Sequence, residues 1–360
     1  VLLQADQRLF VISFFDTIFY ILRIVLQIIL IMNNISIIWV MAIPALMVVV
    51  RMAALSKYCQ SLYQGLNRKV KADFSALNKR WSAMAHQLSG LVVYNTDVTL
   101  LTIFGELIHV SIYSVYNLIF THIYNLLASI FSNGTLASFG QLMSENRKER
   151  LLEAFDLYEY GYYMVVSFVY GVTASMILPF VSVYTKKYVN IQYVDVKLAV
   201  LFILIGFANN MRVPSGTMIN AAGHFKETKW RAILEAVINI CASLLLVAPL
   251  GMYGLLIGTI CSFAYRTTDI IYYSHKHILE ISCNKTIFRI LRTAINILLS
   301  VLIYKLLFNK YVMTNWAQWV SYAFISSFIT GCFVVTTHYL TEPESFKQCI
   351  RILFKHKKKQ

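Results

Sequence analysis

The feature that most constrains this chain is a series of apolar runs, each about 20 residues long, recurring from end to end. Twenty helical residues span about 30 Å, the thickness of a bilayer's hydrocarbon core. Ten such runs are expected to cross, at 10–31, 37–55, 86–104, 110–132, 157–180, 198–220, 232–249, 253–273, 290–308 and 318–339. Gly105 leaves almost no loop between the third and the fourth. Composition agrees. Hydrophobic residues make up 58% and charged residues 14%, and the mean hydropathy is +0.62. A water-soluble chain of this length needs more charge to cover its surface. The expected fold is an all-α polytopic membrane protein with about ten transmembrane helices.

Lys and Arg mark the connections that stay on the inner side. With the N-terminus inside, 23 of the 32 basic residues fall in inner connections, 4 in outer ones and 5 within spans. Both termini are therefore expected in the cytoplasm. The net charge of +15 then requires no nucleic acid, because anionic inner-leaflet lipids suffice as partners. The terminal run Lys355 to Lys359 reads the same way. Six cysteines are scattered without a C-x-x-C pair, so no metal site or disulfide framework is implied. No signal peptide is visible. The chain opens at Val1 inside what reads as a connection, so it reads as a fragment.

Four parts are expected: two spans in 1–55, a basic amphipathic linker on the inner surface at 56–85, about eight spans in 86–340, and a basic tail at 341–360. The inner connection Ser144 to Gly161 is expected to open as an interfacial helix capped by Ser144. Outer connections are short, the longest running from Val183 to Lys197. They leave no room for an outer catalytic domain. G-x-S-x-G, H-E-x-x-H and Walker patterns are absent from the sequence. The chain is therefore expected not to be an enzyme, to need no cofactor, and not to be an ATP-driven pump.

Several spans carry polar groups. Asp16, Tyr20, Arg23 and Gln27 fall at i, i+4, i+7 and i+11, on one helix face. Arg23 lies about 20 Å along the helix from Phe10. A central arginine costs roughly 2.5–3.5 kcal/mol to insert, so this face must turn inward. Two readings remain open there: a water-filled lumen, or an Asp16–Arg23 lock between helices. Asn209, Asn210 and Arg212 precede Pro214 and Gly216, which suggests a broken helix lining a cavity. Arg266 and Asp269, at i and i+3, read as a structural ion pair. Glu235 and Asn239 lie one turn apart, and Glu106 and His109 read as solvated at an outer turn.

Asp97 lies roughly 17 Å into its span. With Asn95 and Thr96 beside it as ligands, it is the expected coupling group for a proton or sodium ion. The alternative is a polar pin that only fixes helix packing. Arginine's planar fork suits phosphate, and the many Tyr and Asn residues suit sugar hydroxyls.

Three stretches carry a resemblance. VLLQADQRLFVIS resembles the connection before the fifth helix of the bacterial polysaccharide flippases, which handle O-antigen and capsule repeat units. YNTDVTLLTIFGELIHVSIYSVYN, with its Asp, its Gly turn and the following Tyr, resembles their seventh and eighth helices. MINAAGHFKETKWRAILEAVINICASLLLVAPLGMYGLLIGTICSFAYRTTDIIYY resembles the tenth-to-twelfth region. Order and spacing agree over nearly the whole chain.

The family belongs to the multidrug/oligosaccharidyl-lipid/polysaccharide exporter superfamily. The resemblance implies two helix bundles around a central cavity, with 1–55 the remainder of a first bundle that lacks its first four helices. It implies flipping of undecaprenyl-diphosphate-linked oligosaccharide by alternating access in the bacterial inner membrane, driven by an ion gradient. Arg23 and Arg212, with Gln27, Asn209 and Asn210, would then receive the diphosphate and sugars. A polysaccharide polymerase and chain-length proteins would be partners. The alternatives are a multidrug exporter of the same superfamily and a membrane-embedded polysaccharide-assembly enzyme.

Overall fold

The apolar runs all fold as helices, since a backbone in hydrocarbon must satisfy its own N–H and C=O groups. A computed structural model describes all residues except 1, 2, 4, 5, 7, 64–79, 146, 189, 309–312 and 356–360. The helices are α1 (Leu9–Met32), α2 (Ile37–Leu62), α3 (Arg80–Phe104), α4 (Leu107–Ser144), α5 (Lys148–Tyr184), α6 (Val196–Met211), α7 (Val213–Ala222), α8 (Phe225–Leu250), α9 (Met252–Ser274), α10 (Asn284–Phe308), α11 (Trp316–Thr341) and α12 (Pro343–Lys355), with a π turn at His275–Leu279 after α9. Among the described residues there is no strand. The protein is an all-α polytopic membrane protein.

Seven segments are long and apolar enough to cross a membrane: α1, α2, α5, α6 with α7, α8, α10 and α11. The expected spans 86–104, 110–132 and 253–273 fold as helices but fall short of that apolarity, being diluted by polar residues. Large apolar side chains such as Leu245, Leu306 and Phe324 stand 74–84% exposed, a surface suited to lipid.

Three boundaries differ from expectation. The connection 56–85 is helical at both edges, because α2 runs on to Leu62 and α3 starts at Arg80. Its middle, 64–79, lies outside the described residues. Ser144 does not cap a separate interfacial helix; it ends α4, and its hydroxyl donates back to the Gln141 carbonyl at 2.8 Å. The expected interfacial segment and the following span form one unbroken 37-residue helix, α5. The expected tail opens as α12, with Pro343 at its first position, where the missing N–H costs nothing. Residues 356–360 of the tail lie outside the described residues.

The chain divides into two units, Val1–Phe74 and Ser75–Gln360. In the first, α1 packs on α2. In the second, α5 is central and touches α4, α6, α10 and α11. Its core is rich in tyrosine. Tyr162 and Tyr163 donate to Asn210 Oδ1 and the Met211 carbonyl, both at 2.7 Å, so burial leaves neither hydroxyl unpaired. Tyr116 and Phe120 stack on Phe202.

The α8–α9 pair is the closest. Gly254 and Gly258 form a small-xxx-small stripe. A Cβ on Gly254 would collide with the Leu246 carbonyl, and one on Gly258 would meet the Ser243 Oγ at 2.5 Å. That approach lets Asn239 of α8 reach Thr259 of α9 at 3.0 Å. The broken helix expected near Pro214 is an interruption of one residue, Arg212, between α6 and α7. Proline has no N–H to continue the ladder.

Candidate functional site

Asp97 projects from α3 into the second unit and is 3% exposed. Thr259 Oγ1 of α9 lies 2.9 Å from both of its carboxylate oxygens, and Tyr113 OH of α4 donates to Oδ2 at 3.4 Å. Thr259 in turn accepts from Asn239 Nδ2. Asn239 Oδ1 is buried and has no partner. Among the described residues no Lys, Arg or His pairs with Asp97.

Asn95 and Thr96, expected as its ligands, bond within their own helix instead. They donate to the carbonyls of Leu91 and Val92 at 2.7 and 2.6 Å, and both are exposed or half-buried. Helical geometry explains the difference. Neighbours in sequence point about 100° apart, so the partners of Asp97 come from α4 and α9. Sequence reading passed over Thr259 and Tyr113; the visible signal was Thr259 one residue after the glycine stripe.

Asp97 lines a cavity of about 350 Å³ whose walls include Tyr94, Tyr113, Tyr124, Tyr170 and Phe263. A second cavity, about 200 Å³, shares Val93 and Tyr94 with the first and is lined by Arg212, Glu235 and Arg266. Arg212 stands at the helix break and fans its guanidinium over three partners. Nη1 donates to Glu235 Oε1 at 2.5 Å, Nε and Nη2 to Asn209 Oδ1 at 3.0 and 2.6 Å, and Nη2 to Tyr94 OH at 3.2 Å. Its flat face covers Phe263 at 4.4 Å.

Arg266 also reaches Glu235, at 3.3 Å, and makes the expected i, i+3 pair with Asp269 at 2.8 Å. Arg231 adds a further pair to Asp269. Three cations thus face two carboxylates, leaving one positive charge beside the cavity. Asn209 lines the larger cavity. Asn210 does not. It is fully buried, with its amide nitrogen on Tyr170 OH at 2.8 Å and Gly206 O at 2.7 Å and its oxygen on Tyr162. It pins the break to α5 and has no capacity left for sugar.

Arg23 and Gln27 belong to the first unit. The Asp16–Arg23 lock does not form: Asp16 pairs with Arg51 of α2. A helix face places Asp16 and Arg23 two turns apart, while Arg51 comes from the facing helix. Arg23 covers the Tyr20 ring at 4.7 Å, and its buried Nε has no partner. Gln27 donates to the Val40 carbonyl at 3.1 Å.

Glu106 and His109 line a larger cavity, about 740 Å³, near the α3–α4 and α8–α9 turns. Four leucines, among them Leu101 and Leu244, are the commonest residue in its walls, and its other carboxylate, Asp195, is spent capping α6 and accepting from Tyr253.

A second charge cluster joins α5, α10 and the start of α12. Arg289, 0% exposed, donates to Glu159 at 2.9 Å and to Glu342 at 2.6 Å, and forms an ion pair with Asp156 at 2.9 Å. Arg292 donates to Glu342 at 2.8 Å and Thr341 at 2.7 Å, and Lys285 pairs with Asp156 at 2.6 Å. Burial pushes Glu342 up, but the bonds and charge of Arg289 outweigh it and hold the carboxyl below the usual range.

Among the described residues no cluster of three His, Cys, Asp or Glu could hold a metal ion. No protein-family model, curated protein or solved structure matches the chain. The function therefore has to be argued from the geometry of these cavities.

Proposed function

We propose that the protein flips lipid-linked oligosaccharides, carried on undecaprenyl diphosphate, from the inner to the outer leaflet of the bacterial cytoplasmic membrane. One observation carries this reading. Asp97 and Arg212, two buried or nearly buried charged groups of the bundle, open onto two adjoining cavities that share Tyr94, near the break between α6 and α7. Buried charge in a membrane bundle is costly and marks pathways for ions or polar cargo.

Arg212, backed by Arg266, supplies the positive end for a diphosphate, with Glu235 as the counter-ion that the cargo displaces. Asn209 and Tyr94 meet sugar hydroxyls. In the first unit, Arg23 and Gln27 are the residues offered to a lipid-linked glycan. Asp97, without a basic partner among the described residues, requires a proton or a cation to balance it, so it couples the cycle to a proton or sodium gradient. Both termini lie in the cytoplasm, and a polysaccharide polymerase and chain-length proteins take the product.

Depleting the protein is expected to leave lipid-linked repeat units on the inner face. Normal arrival at the outer face after depletion would overturn the reading. A multidrug exporter is the second reading, favoured by the aromatic walls around Asp97, which suit an organic cation. Uptake of a fluorescent lipophilic cation into vesicles, with no flipping of the lipid-linked glycan, would favour it instead.

A further inference from the structure

The π turn after α9 begins at His275, which is 1% exposed. Its Nδ1 lies 2.8 Å from the Ile271 carbonyl oxygen, which can only accept. Its Nε2 lies 2.9 Å from Thr286 Oγ1, in the first turn of α10. Thr286 Oγ1 lies 2.8 Å from Glu159 Oε1 on α5. Glu159 Oε2 accepts from Arg289 at 2.9 Å. All three side chains are buried, and none has room to turn away to water.

The hydrogens can be counted. A threonine hydroxyl has one, a neutral imidazole has one, and an ionised carboxylate has none. Suppose His275 is neutral and Glu159 ionised. With the ring hydrogen on Nδ1, Thr286 can donate to Glu159 or to Nε2, but not to both. One contact is then two lone pairs facing each other. With the ring hydrogen on Nε2, the unprotonated Nδ1 faces the Ile271 oxygen. Every arrangement leaves one repulsive contact under 3 Å.

One more proton removes the conflict in either of two places. A doubly protonated His275 donates to Ile271 and Thr286, and Thr286 donates to Glu159. A protonated Glu159 donates to Thr286, and Thr286 donates to Nε2. We propose that His275, Thr286 and Glu159 form a buried site for a single proton, which fastens the connection between α9 and α10 onto α5.

The surrounding charges do not settle the matter by themselves. On α5, Asp156 favours the proton, and the Tyr163 phenol lies near Glu159. On α10, Arg289 opposes it, and Lys285 sits on Asp156. Glu342, after α11, takes up part of the charge of Arg289. In the connection itself, burial and Glu159 hold the Cys283 thiol above its usual range. The edge of Phe155 closes the remaining side of His275 at 5.8 Å. These charges act in opposite directions, and the hydrogen-bond count is the geometric ground for the proton, because unsatisfied groups in a buried network are costly. The site is separate from the cavities at Asp97 and Arg212 and does not depend on the transport reading.

The test uses the full chain in lipid bilayers, labelled with nitrogen-15 histidine and carbon-13 glutamate, by solid-state NMR. His275→Gln and Glu159→Gln assign the two signals. At a pH about two units above the ordinary histidine value of ~6.5, the expected result is either a doubly protonated ring at 275 or a protonated carboxyl at 159. A neutral ring beside an ionised carboxylate would overturn the proposal. Thermal midpoints give an independent readout without assignment. The folded state binds the proton more tightly than the unfolded chain, so this contribution is complete below the unfolded histidine value and lost as pH rises through the folded one. The midpoint of the wild type should fall on that alkaline limb. Glu159→Gln should stay flat there, since its amide donates to Thr286 as the protonated carboxyl would. Equal alkaline limbs in the two proteins would also overturn the proposal.

Discussion

Arg212 and Arg289 sit in the same unit, each bound to carboxylates, but their surroundings differ. Arg289 touches three acids, and with Lys285 and Arg292 it sets three cations against three carboxyl groups. None of those residues lines a described cavity. Arg212 shares one glutamate with Arg266, leans on an asparagine and a tyrosine, and borders open space. The first arrangement joins α5, α10 and α12 and opens onto none of those cavities. The second is held just firmly enough to stay charged beside a cavity. On the proposed function, the difference separates fastening from binding, though the residue type is the same.

The strongest test of that contrast is Arg289→Ala. It strands the buried Glu159 carboxyl, while Glu342 keeps Arg292 at 2.8 Å, and a removed partner of this kind costs about 3–5 kcal/mol. Denaturant unfolding in detergent should show the loss. Arg212→Ala should cost less, about 1–3 kcal/mol, because Arg266 still neutralises Glu235. It should nonetheless stop transport in reconstituted vesicles. If the two variants lose equal stability, or Arg212→Ala transports normally while inserting normally, the contrast fails.

The fold class was readable because the signal for a spanning helix is length and apolarity, and both are local. The Pro214 break and the Arg266–Asp269 pair were readable for the same reason, as features of a single helix. What stayed hidden depended on which helices face each other. Asp16 belongs with Arg51, which is 35 residues away, and Asp97 with Thr259, 162 residues away. Neighbours in sequence looked like ligands for Asp97, yet the helix turns Asn95 and Thr96 off to their own carbonyls. The Arg289 cluster was hidden because its members fall at the ends of the expected spans, where a basic residue ordinarily meets water. Glu159 and Arg289 near the edges of two expected spans were the available hint.

Acid should separate the two regions as well, with a smaller effect. Arg289 holds Glu342 below the ordinary glutamate value of ~4.3. A group lowered in the folded state contributes stability above its unfolded value, and loses it as pH falls through the folded one. The wild type should therefore lose thermal stability below about pH 4, and Glu342→Gln should have already lost this contribution and show a flatter acid limb. Parallel acid limbs in the two proteins would mean that Glu342 is not a working part of the fastening.

The smallest change in stability is expected at Asp97, where the change in function should be largest for its size. In Asp97→Asn the amide would keep one oxygen to accept from Thr259, and its nitrogen could donate to the Tyr113 hydroxyl. No ion pair is broken, since Asp97 has none among the described residues. Asp97→Asn should thus change unfolding free energy by less than about 1 kcal/mol, unlike either arginine variant. A packing pin would then survive the substitution with its role intact. A coupling group would not, because a neutral amide cannot take up and release a proton and attracts sodium far less than a carboxylate does. Transport into vesicles under separately imposed proton and sodium gradients distinguishes the two. Loss of dependence on one gradient, in a protein that still folds and binds its cargo, identifies the coupling ion. Full retention of gradient dependence would place Asp97 with Arg289, among the groups that only hold helices together.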